Sequence, residues 1–323
     1  MNIDRTIEPN TLATRSQNPS GSVAPRCYVC RAPGGSVLCE IPTGSIIRCS
    51  ACGTVYRGIV VTGDQYDALY QNAATMETPF YRANKMASDP DVEPLPTYRR
   101  GLRRLEGLVR PGRLLDVGCS YGAFLQLAAQ RGWQAQGVEL SKVTADFARE
   151  ERGLDVFTGT VEEASFPDAY FHAITLWDVI EHFDDPVATL AELHRILAPS
   201  GILFVFTINQ ESLLNFVGHL LYRLTLKKWK HLMALFYDIH HNFFFSPRTL
   251  RSLLHRAGDL EVVDIEFGAA NVRRWRTVPI HPLLIAGSEL IDFVSVPLRR
   301  RYRMFVYARK IEGAKSRESQ LAT

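Results

Sequence analysis

The sequence predicts an α/β chain, a parallel sheet wound on both faces by helices, preceded by a small cysteine-rich module. Three observations carry this. From residue 113 onward, short apolar runs alternate with stretches of helical periodicity, the pattern of repeated βαβ units. The first of these runs, "LLDVG", passes directly into a glycine-containing turn and then a helix. Near the N-terminus stand two Cys-x-x-Cys pairs, Cys27/Cys30 in "CYVC" and Cys49/Cys52 in "CSAC", with 18 residues between them.

Two knuckles at this separation present four thiolates tetrahedrally, the donor set and closed geometry of structural Zn2+. Gly34, Gly35, Gly44 and Gly53 suit the tight turns of a ribbon, and Cys39 reads as a spare, unligated residue. Two disulfides are the alternative, disfavoured in a reducing compartment. The ribbon is set at residues 26–62. Residues 1–25, rich in Ser, Thr, Asn and Pro and lacking aromatics, read as a disordered tail with no apolar signal segment. Residues 63–97 read as a linker or lid. Its Tyr66, Tyr70, Phe80 and Tyr81 either line a pocket or pack the ribbon onto the next domain, and "DPDVEPLP" marks a break.

Leu102, Leu105 and Leu108 recur at helical spacing between Tyr98 and Val109, with arginines on the other side. "RLLDVGC" then reads as a buried strand and "YGAFLQLAAQRG" as a helix stopped by Gly132. "QAQGVEL" is a strand, and Ser141 caps the helix that ends at Gly153. "DVFTGT" and "HAITLWDV" are strands. "DPVATLAELHRILAPSG" is a helix with Pro186 in its first turn, and "ILFVFTIN" returns to the sheet. The last part supplies a helix, "SPRTLRSLLHRAG", and the strands "LEVVDIEFG" and "YRMFVYARK".

Ligands of such sheets bind beyond the carboxyl ends of the strands. There Asp116 ends the first strand, and Gly118, Ser120 and Gly122 form a G-x-S-x-G turn, not the G-x-G-x-x-G of dinucleotide binders. Glu139 closes the second strand, where a carboxylate accepts both ribose hydroxyls of a nucleoside. An acid before the turn repels a pyrophosphate and attracts an ammonium, so the turn favours an adenosine ligand with a positively charged end. A side chain at position 120 requires either a negative φ or a ligand standing slightly away from the turn.

On these residues the chain resembles the class I S-adenosylmethionine-dependent methyltransferases. "LLDVGCSYG" matches their glycine-rich motif, "GVELS" the ribose acid, and the stretch from "TGTVEEASF" through "DVIEHFDDP" to "GILFV" the downstream motifs. Within that superfamily it is similar to the ubiquinone-methyltransferase-like branch. The ribbon followed by Tyr-x-x-x-Tyr is also similar to bacterial methyltransferases of sugar and polysaccharide pathways. The resemblance covers roughly residues 100–310 and implies a Rossmann-like, seven-stranded, mostly parallel sheet in a domain spanning 98–311, with a flexible tail at 312–323. It implies that Asp116 contacts the methionine ammonium, with Gly118 and Cys119 presenting backbone groups in the turn with Ser120 and Gly122. Glu139 holds the ribose, Leu140 packs on the adenine, and Thr160, Val161 and Glu162 border it. The commoner pattern has an acid where Thr160 stands. Trp177 and Asp178 border the methionine moiety.

Methyl transfer to oxygen needs alignment, exclusion of water and a general base. His182, after the fourth strand, and His241, in a segment resembling the family's "H-x-x-x-F-S" stretch, are the candidates; each could equally order a loop. Residues 212–245 are an acceptor-side insertion. Leu213, Phe216, Val217, Leu220, Leu221 and Leu224 give it an apolar helical face, followed by Lys227, Lys228 and Lys230. This face suits an interfacial helix on anionic lipid, a lid over a hydrophobic or phosphorylated acceptor, or core packing. "HPLLIAGSELIDFVSVPLRRRYR" repeats the ambiguity.

The chain of 323 residues is 46% hydrophobic and 22% charged, ordinary for a globular protein. Its charge is uneven: residues 1–218 carry 19 Lys+Arg against 25 Asp+Glu, and residues 219–323 carry 18 against 9. The basic final third suits anionic partners. No run of 18 apolar residues predicts a spanning helix, which places the expectation in the cytoplasm, with peripheral contact at the inner membrane face as its extension. The functional expectation is O-methylation of a small molecule or glycan precursor. Sugar C-methylation is the nearest rival, followed by RNA modification and a non-catalytic S-adenosylmethionine-binding subunit. Nucleic acid is disfavoured because the basic residues are interleaved with long apolar segments rather than exposed aromatics.

Overall fold

The apolar runs of the chain assemble into two sheets, one of seven strands and one of four. The computed structural model describes residues 26–58, 84–87, 94–226, 230–237, 240–269 and 282–311. The expected tails at 1–25 and 312–323, Tyr66, Tyr70, Phe80, Tyr81, Lys227 and Lys228 lie outside these residues.

The small sheet contains β1 (Gly35–Ile41), β2 (Gly44–Cys49) and β3 (Val55–Arg57). The large one contains β4 (Arg113–Val117), β5 (Gln134–Glu139), β6 (Asp155–Thr158), β7 (Phe171–Trp177), β8 (Leu197–Ile208), β10 (Leu260–Gly268) and β11 (Arg303–Lys310). Its order is β10-β11-β8-β7-β4-β5-β6, and β11 alone runs against the others. Central β4 and β7 are apolar on both sides because both sides are covered. Helices α1 (Leu95–Glu106), α2 (Ala123–Gln130) and α3 (Lys142–Glu150) cover one face. Helices α4 (Pro186–Ile196) and α7 (Pro247–Ala257) cover the other, together with ribbon residues Cys27, Val29 and Tyr56. This is the Rossmann-like arrangement the sequence implies, including the antiparallel edge.

Three local departures have simple causes. Helix α1 starts at Leu95 rather than Tyr98, because Pro94 and Pro96 suit a first turn whose amides need no partner. Helix α4 stops at Ile196, and Leu197 to Gly201, which read as its tail, belong to β8; Leu197 there pairs with Phe171 in the parallel ladder. Within the insertion, α5 (Leu213–Leu224) and α6 (Lys230–Ala234) are followed by a two-residue strand, β9 (Phe243–Phe244), which joins the ribbon sheet instead of the large one. Val55 pairs with Phe244 and Tyr56 with Phe243.

Helix α7 begins as its sequence predicts. Ser246 Oγ accepts from the Thr249 amide, Thr249 Oγ1 accepts from the Ser246 amide, and Pro247 fills the first turn. On the opposite face, α1 approaches β7 closely at Gly101, where a Cβ would stand 2.6 Å from Trp177 Cη2 and 3.2 Å from Phe204 Cζ. Gly101→Val should therefore cost about 2–3 kcal/mol through overpacking, outweighing the few tenths that replacing glycine returns to a helix. A urea melt with a lower midpoint and unchanged slope is the expected outcome.

Candidate active site

Strand β4 ends at the middle of the sheet, and the chain there turns sharply enough to need left-handed backbone. Gly118 has φ 71° and Gly122 φ 76°. A Cβ on Gly118 would meet Val179 at 2.6 Å, and one on Gly122 would collide with Leu154, so both conformation and space demand glycine. Ser120 lies between them at φ 51°. The negative φ that would make a side chain comfortable there is not adopted. The left-handed conformation accompanies a specific contact: the Ser120 amide donates to Glu139 Oε2 at 2.8 Å. Among the described residues, Ser120 Oγ is buried without a hydrogen-bond partner.

Glu139 is thereby held between two elements, since its Oε1 accepts from the Ser141 amide at the start of α3, also at 2.8 Å. The Thr144 hydroxyl and the Leu140 amide are further donors to this carboxylate. Asp116 is 2% exposed, and its Oδ1 accepts from Thr175 Oγ1 at 2.6 Å. Burial, opposed in part by the Thr175 bond and reinforced by Glu139, pushes its carboxyl up to about 8. Burial also raises Glu139. Two buried acids close enough for Glu139 to raise Asp116 form a site whose electrostatics improve when a cation arrives. Leu140, 39% exposed, leaves an apolar surface beside them.

Several expected neighbours have different roles. The amides of Gly118 and Cys119 both donate to Val138 O, and Cys119 O accepts from the Gly122 amide, so these amides hold the turn itself. The Cys119 side chain is buried against Gly137, where a Cβ would meet its sulfur at 2.6 Å. Val161 is buried in the core. Thr160 and Glu163 bond reciprocally, the Thr160 amide to Glu163 Oε2 at 2.7 Å and the Glu163 amide to Thr160 Oγ1 at 3.2 Å, while Glu162 is exposed. The loop's engaged acid is thus Glu163, legible in retrospect from the T-x-x-E spacing of a reciprocal cap. Trp177 is enclosed by Tyr98, Phe124, Phe204 and Phe206. Asp178, at φ 54°, forms an ion pair with Arg303 at the start of β11. Arg303 also lies 5.2 Å from the Phe206 ring centroid.

At the same strand ends, a 3-10 turn (Ile180–His182) follows β7. The His182 and His241 rings stand perpendicular with centroids 4.8 Å apart, although 58 residues separate them. His182 Nδ1 lies 2.8 Å from His240 O. A carbonyl only accepts, so Nδ1 carries the proton and Nε2 is the basic nitrogen of the neutral ring. Glu181 is fully buried; its Oε2 accepts from Thr207 Oγ1 at 3.0 Å, and its Oε1 has no hydrogen-bond partner among the described residues. Burial, with Asp178 nearby, raises it to about 8. Ligand atoms of Glu181, His182 and His241 all lie within 4.8 Å of one another.

The four ribbon cysteines also converge within 4.8 Å. Cys27 and Cys52 sulfurs are 3.7 Å apart and Cys30 and Cys49 sulfurs 3.6 Å. Tetrahedral bonds of about 2.3 Å would set neighbouring sulfurs about 3.8 Å apart, so the arrangement fits one ion bound to all four. Burial disfavours ionisation of Cys49, but the amides of Cys52 and Ala51 and the neighbouring thiols bring it down to about 7. Burial raises Cys27.

This fold and site define the S-adenosylmethionine-dependent methyltransferases, for which S-adenosylmethionine is the cofactor. The model of the family described as "Methyltransferase domain" matches residues 94–264, and the chain belongs to that family. The "Ubiquinone biosynthesis O-methyltransferase" of Azoarcus sp. (strain BH72) is 32% identical over 114 residues, covering 33% of this chain and 47% of that protein. The protein of the same name from Histophilus somni (strain 2336) is 28% identical over 147 residues, covering 41% and 62%. The chain spans about half the length of the curated relatives it matches. Among solved structures, the 4+2 cyclase SpnF superposes with a TM-score of 0.51 at 19% identity, covering 79% of this chain and 98% of that one. Haemonchus contortus phosphoethanolamine N-methyltransferase 2, in complex with S-adenosyl-L-methionine, gives 0.50 at 15% identity, covering 80% and 62%. These two likenesses concern the fold.

The raised carboxyl of Asp116 has a consequence for stability. A folded-state value of about 8 against an ordinary value of 3.8 means that the contribution is full below about 4 and is lost as pH rises through 8. Asp116→Asn keeps an acceptor for Thr175 and removes the titration. Urea melts should show the variant gaining on the parent from pH 5 up to about pH 8 and levelling off above it; parallel pH profiles would contradict a buried, titrating Asp116.

Proposed function

We propose that the chain transfers a methyl group from S-adenosylmethionine to an oxygen of a small molecule or glycan precursor. The supporting observation is the juxtaposition of two sets of groups at one sheet edge: the buried acids Asp116 and Glu139 at the glycine-rich turn, and the His182–His241 pair beyond β7. The relatives named as O-methyltransferases favour oxygen as the receiving atom.

Asp116 meets the ammonium, ionising as the cation arrives. Glu139, already oriented by the Ser120 and Ser141 amides, accepts the ribose hydroxyls, and exposed Leu140 supports the adenine. Ser120 Oγ, buried and lacking a partner among the described residues, is positioned to bond the tail of the ligand. When bound, the cofactor supplies an electrophilic methyl on a sulfonium. The remaining work belongs to the chain: His182 Nε2 takes the proton of the acceptor hydroxyl, and the Nδ1 bond to His240 O fixes the ring for it. Perpendicular His241 confines that ring.

In this reading residues 26–62 form a ribbon whose Cys27, Cys30, Cys49 and Cys52 hold structural Zn2+, and residues 98–311 form the methyltransferase domain. Thiolate ligands persist in a reducing compartment, which supports a cytoplasmic location.

Calorimetry with S-adenosylhomocysteine near pH 7, in buffers of different ionisation enthalpy, should show release of close to one proton, and Asp116→Asn should bind at least tenfold more weakly. Absence of binding by the parent protein would overturn the reading. His182→Ala should lower turnover at least tenfold and leave that affinity intact. Incubation with radiolabelled S-adenosylmethionine and fractionated cell extract should label a small-molecule or glycan fraction. Label in RNA would reject the acceptor class, and label in no fraction would favour a binding subunit without catalysis.

A further inference from the structure

Helix α5 is apolar on the wrong side for a helix that meets only water. Its inner side carries Asn215, Gly218 and Tyr222, all buried. A Cβ on Gly218 would stand 2.7 Å from the Phe236 ring, and Tyr222 Oη accepts from the Glu40 amide at 3.2 Å. The opposite side of such a helix is ordinarily polar. Here it bears Phe216, Leu220 and Leu224 at i, i+4 and i+8, with Leu224 70% exposed. Helix α8 (Pro282–Ser295) packs beside α5 and exposes Leu290, Phe293 and Val294, Phe293 to 75%. Of the 17 large apolar side chains exposed among the described residues, ten belong to these two helices and the turns that follow them. That concentration is a patch, not the ordinary scatter of surface hydrophobics.

The rim of the patch is cationic. Arg223 sits in the last turn of α5, and Arg299 and Arg300 follow α8; all three are exposed. The Arg300 guanidinium lies 5.8 Å from the Phe216 centroid, and its backbone carbonyl accepts from the Leu213 amide, which joins the two helices. Neither Arg223 nor Arg300 forms an ion pair among the described residues, whereas Asp292 on α8 is neutralised by Arg301 at 2.6 Å. We propose that the α5–α8 face docks on an anionic membrane surface, with its apolar side chains entering the interface and its arginines meeting lipid phosphates. A second copy would bring two arginine-rimmed faces into one interface, and that like charge disfavours self-association. A nucleic acid would use the cations and leave the leucines and phenylalanines uncovered.

The face adjoins the acceptor end of the sheet. Helix α5 follows β8, the Asn209 amide donates to Tyr302 O at 2.7 Å, and the next residue, Arg303, pairs with Asp178. Docking turns that end toward the bilayer. This orientation rests on the methyl-transfer reading; the docking itself does not.

The test is sedimentation of the full chain with phosphatidylcholine vesicles, with and without roughly one-third phosphatidylglycerol. Binding should require the anionic lipid, weaken with added salt, and fall at least tenfold in Leu224→Asp/Phe293→Asp and in Arg223→Glu/Arg300→Glu. S-adenosylhomocysteine affinity, unchanged in both variants, separates loss of docking from loss of fold or cofactor site. If either variant fails to fold, hydrogen exchange of the parent protein should show amides of α5 and α8 protected on vesicle addition. No sedimentation with anionic vesicles at low salt would overturn the proposal, as would equal sedimentation of the variants. A concentration-dependent dimer abolished by the apolar variant would assign the face to a second copy and overturn it as well.

Discussion

The acceptor side depends on a strand pairing only two residues long. Val55 and Tyr56 of the ribbon pair with Phe244 and Phe243 of the insertion, and the contact continues through backbone on either side. The Arg57 amide donates to Asn242 O, and the Asn242 amide donates to Glu181 O. The Asn242 side chain reaches the carbonyls of His182 and Phe183. A continuous path of main-chain hydrogen bonds thus runs from the strand beside the four cysteines to the turn carrying His182. Buried backbone groups of this kind are costly to leave unpaired, so the ribbon and the histidine turn share one rigid frame. The aromatic run Phe243–Phe245, fully buried, fixes this frame against both sheets.

Around that frame the sheet edge concentrates groups that a stable core would avoid. Asp116, Glu139 and Glu181 are all buried, and burial raises all three. Half-buried Arg303 is a cation among them, offsetting its own desolvation through the charge of Asp178. Two non-glycine residues with left-handed backbone, Ser120 and Asp178, flank the same edge. Each costs on the order of 1 kcal/mol, and strain of that kind persists where the surrounding structure fixes it. Here the fixing contacts are the Glu139 carboxylate for Ser120 and the Arg303 guanidinium for Asp178.

Most of the frame was legible because it is written in local patterns. Alternating apolar strands and helices predict the parallel core, Ser246-Pro247 predicts the start of α7, and the cysteine spacing predicts the convergence of four sulfurs. What escaped lies in contacts between distant segments. Phe243-Phe244 reads as the approach to a helix, and nothing nearby says that its partner is Val55-Tyr56. Asp178, which the resemblance sets beside the methionine moiety, also pairs with Arg303, a counter-ion 125 residues further along the chain. Trp177 and Leu140 occupy similar places at strand ends, yet one is enclosed by aromatics and the other left bare. Which face a side chain takes at the last residue of a strand depends on neighbours that periodicity does not record.

The pairing of β3 with β9 also orders events in time. Strand β3 ends at Arg57 and β9 begins at Phe243, so 185 residues are made between them. At ordinary elongation rates that interval lasts about ten to forty seconds. The three N-terminal strands and their cysteines leave the ribosome first, and their exposed edge waits until most of the large sheet has been synthesised. Two hydrogen-bonded residue pairs then close a loop of that length, a late and entropically expensive step. The small sheet is begun before the large one, yet it cannot be completed until five strands of the large one have been made.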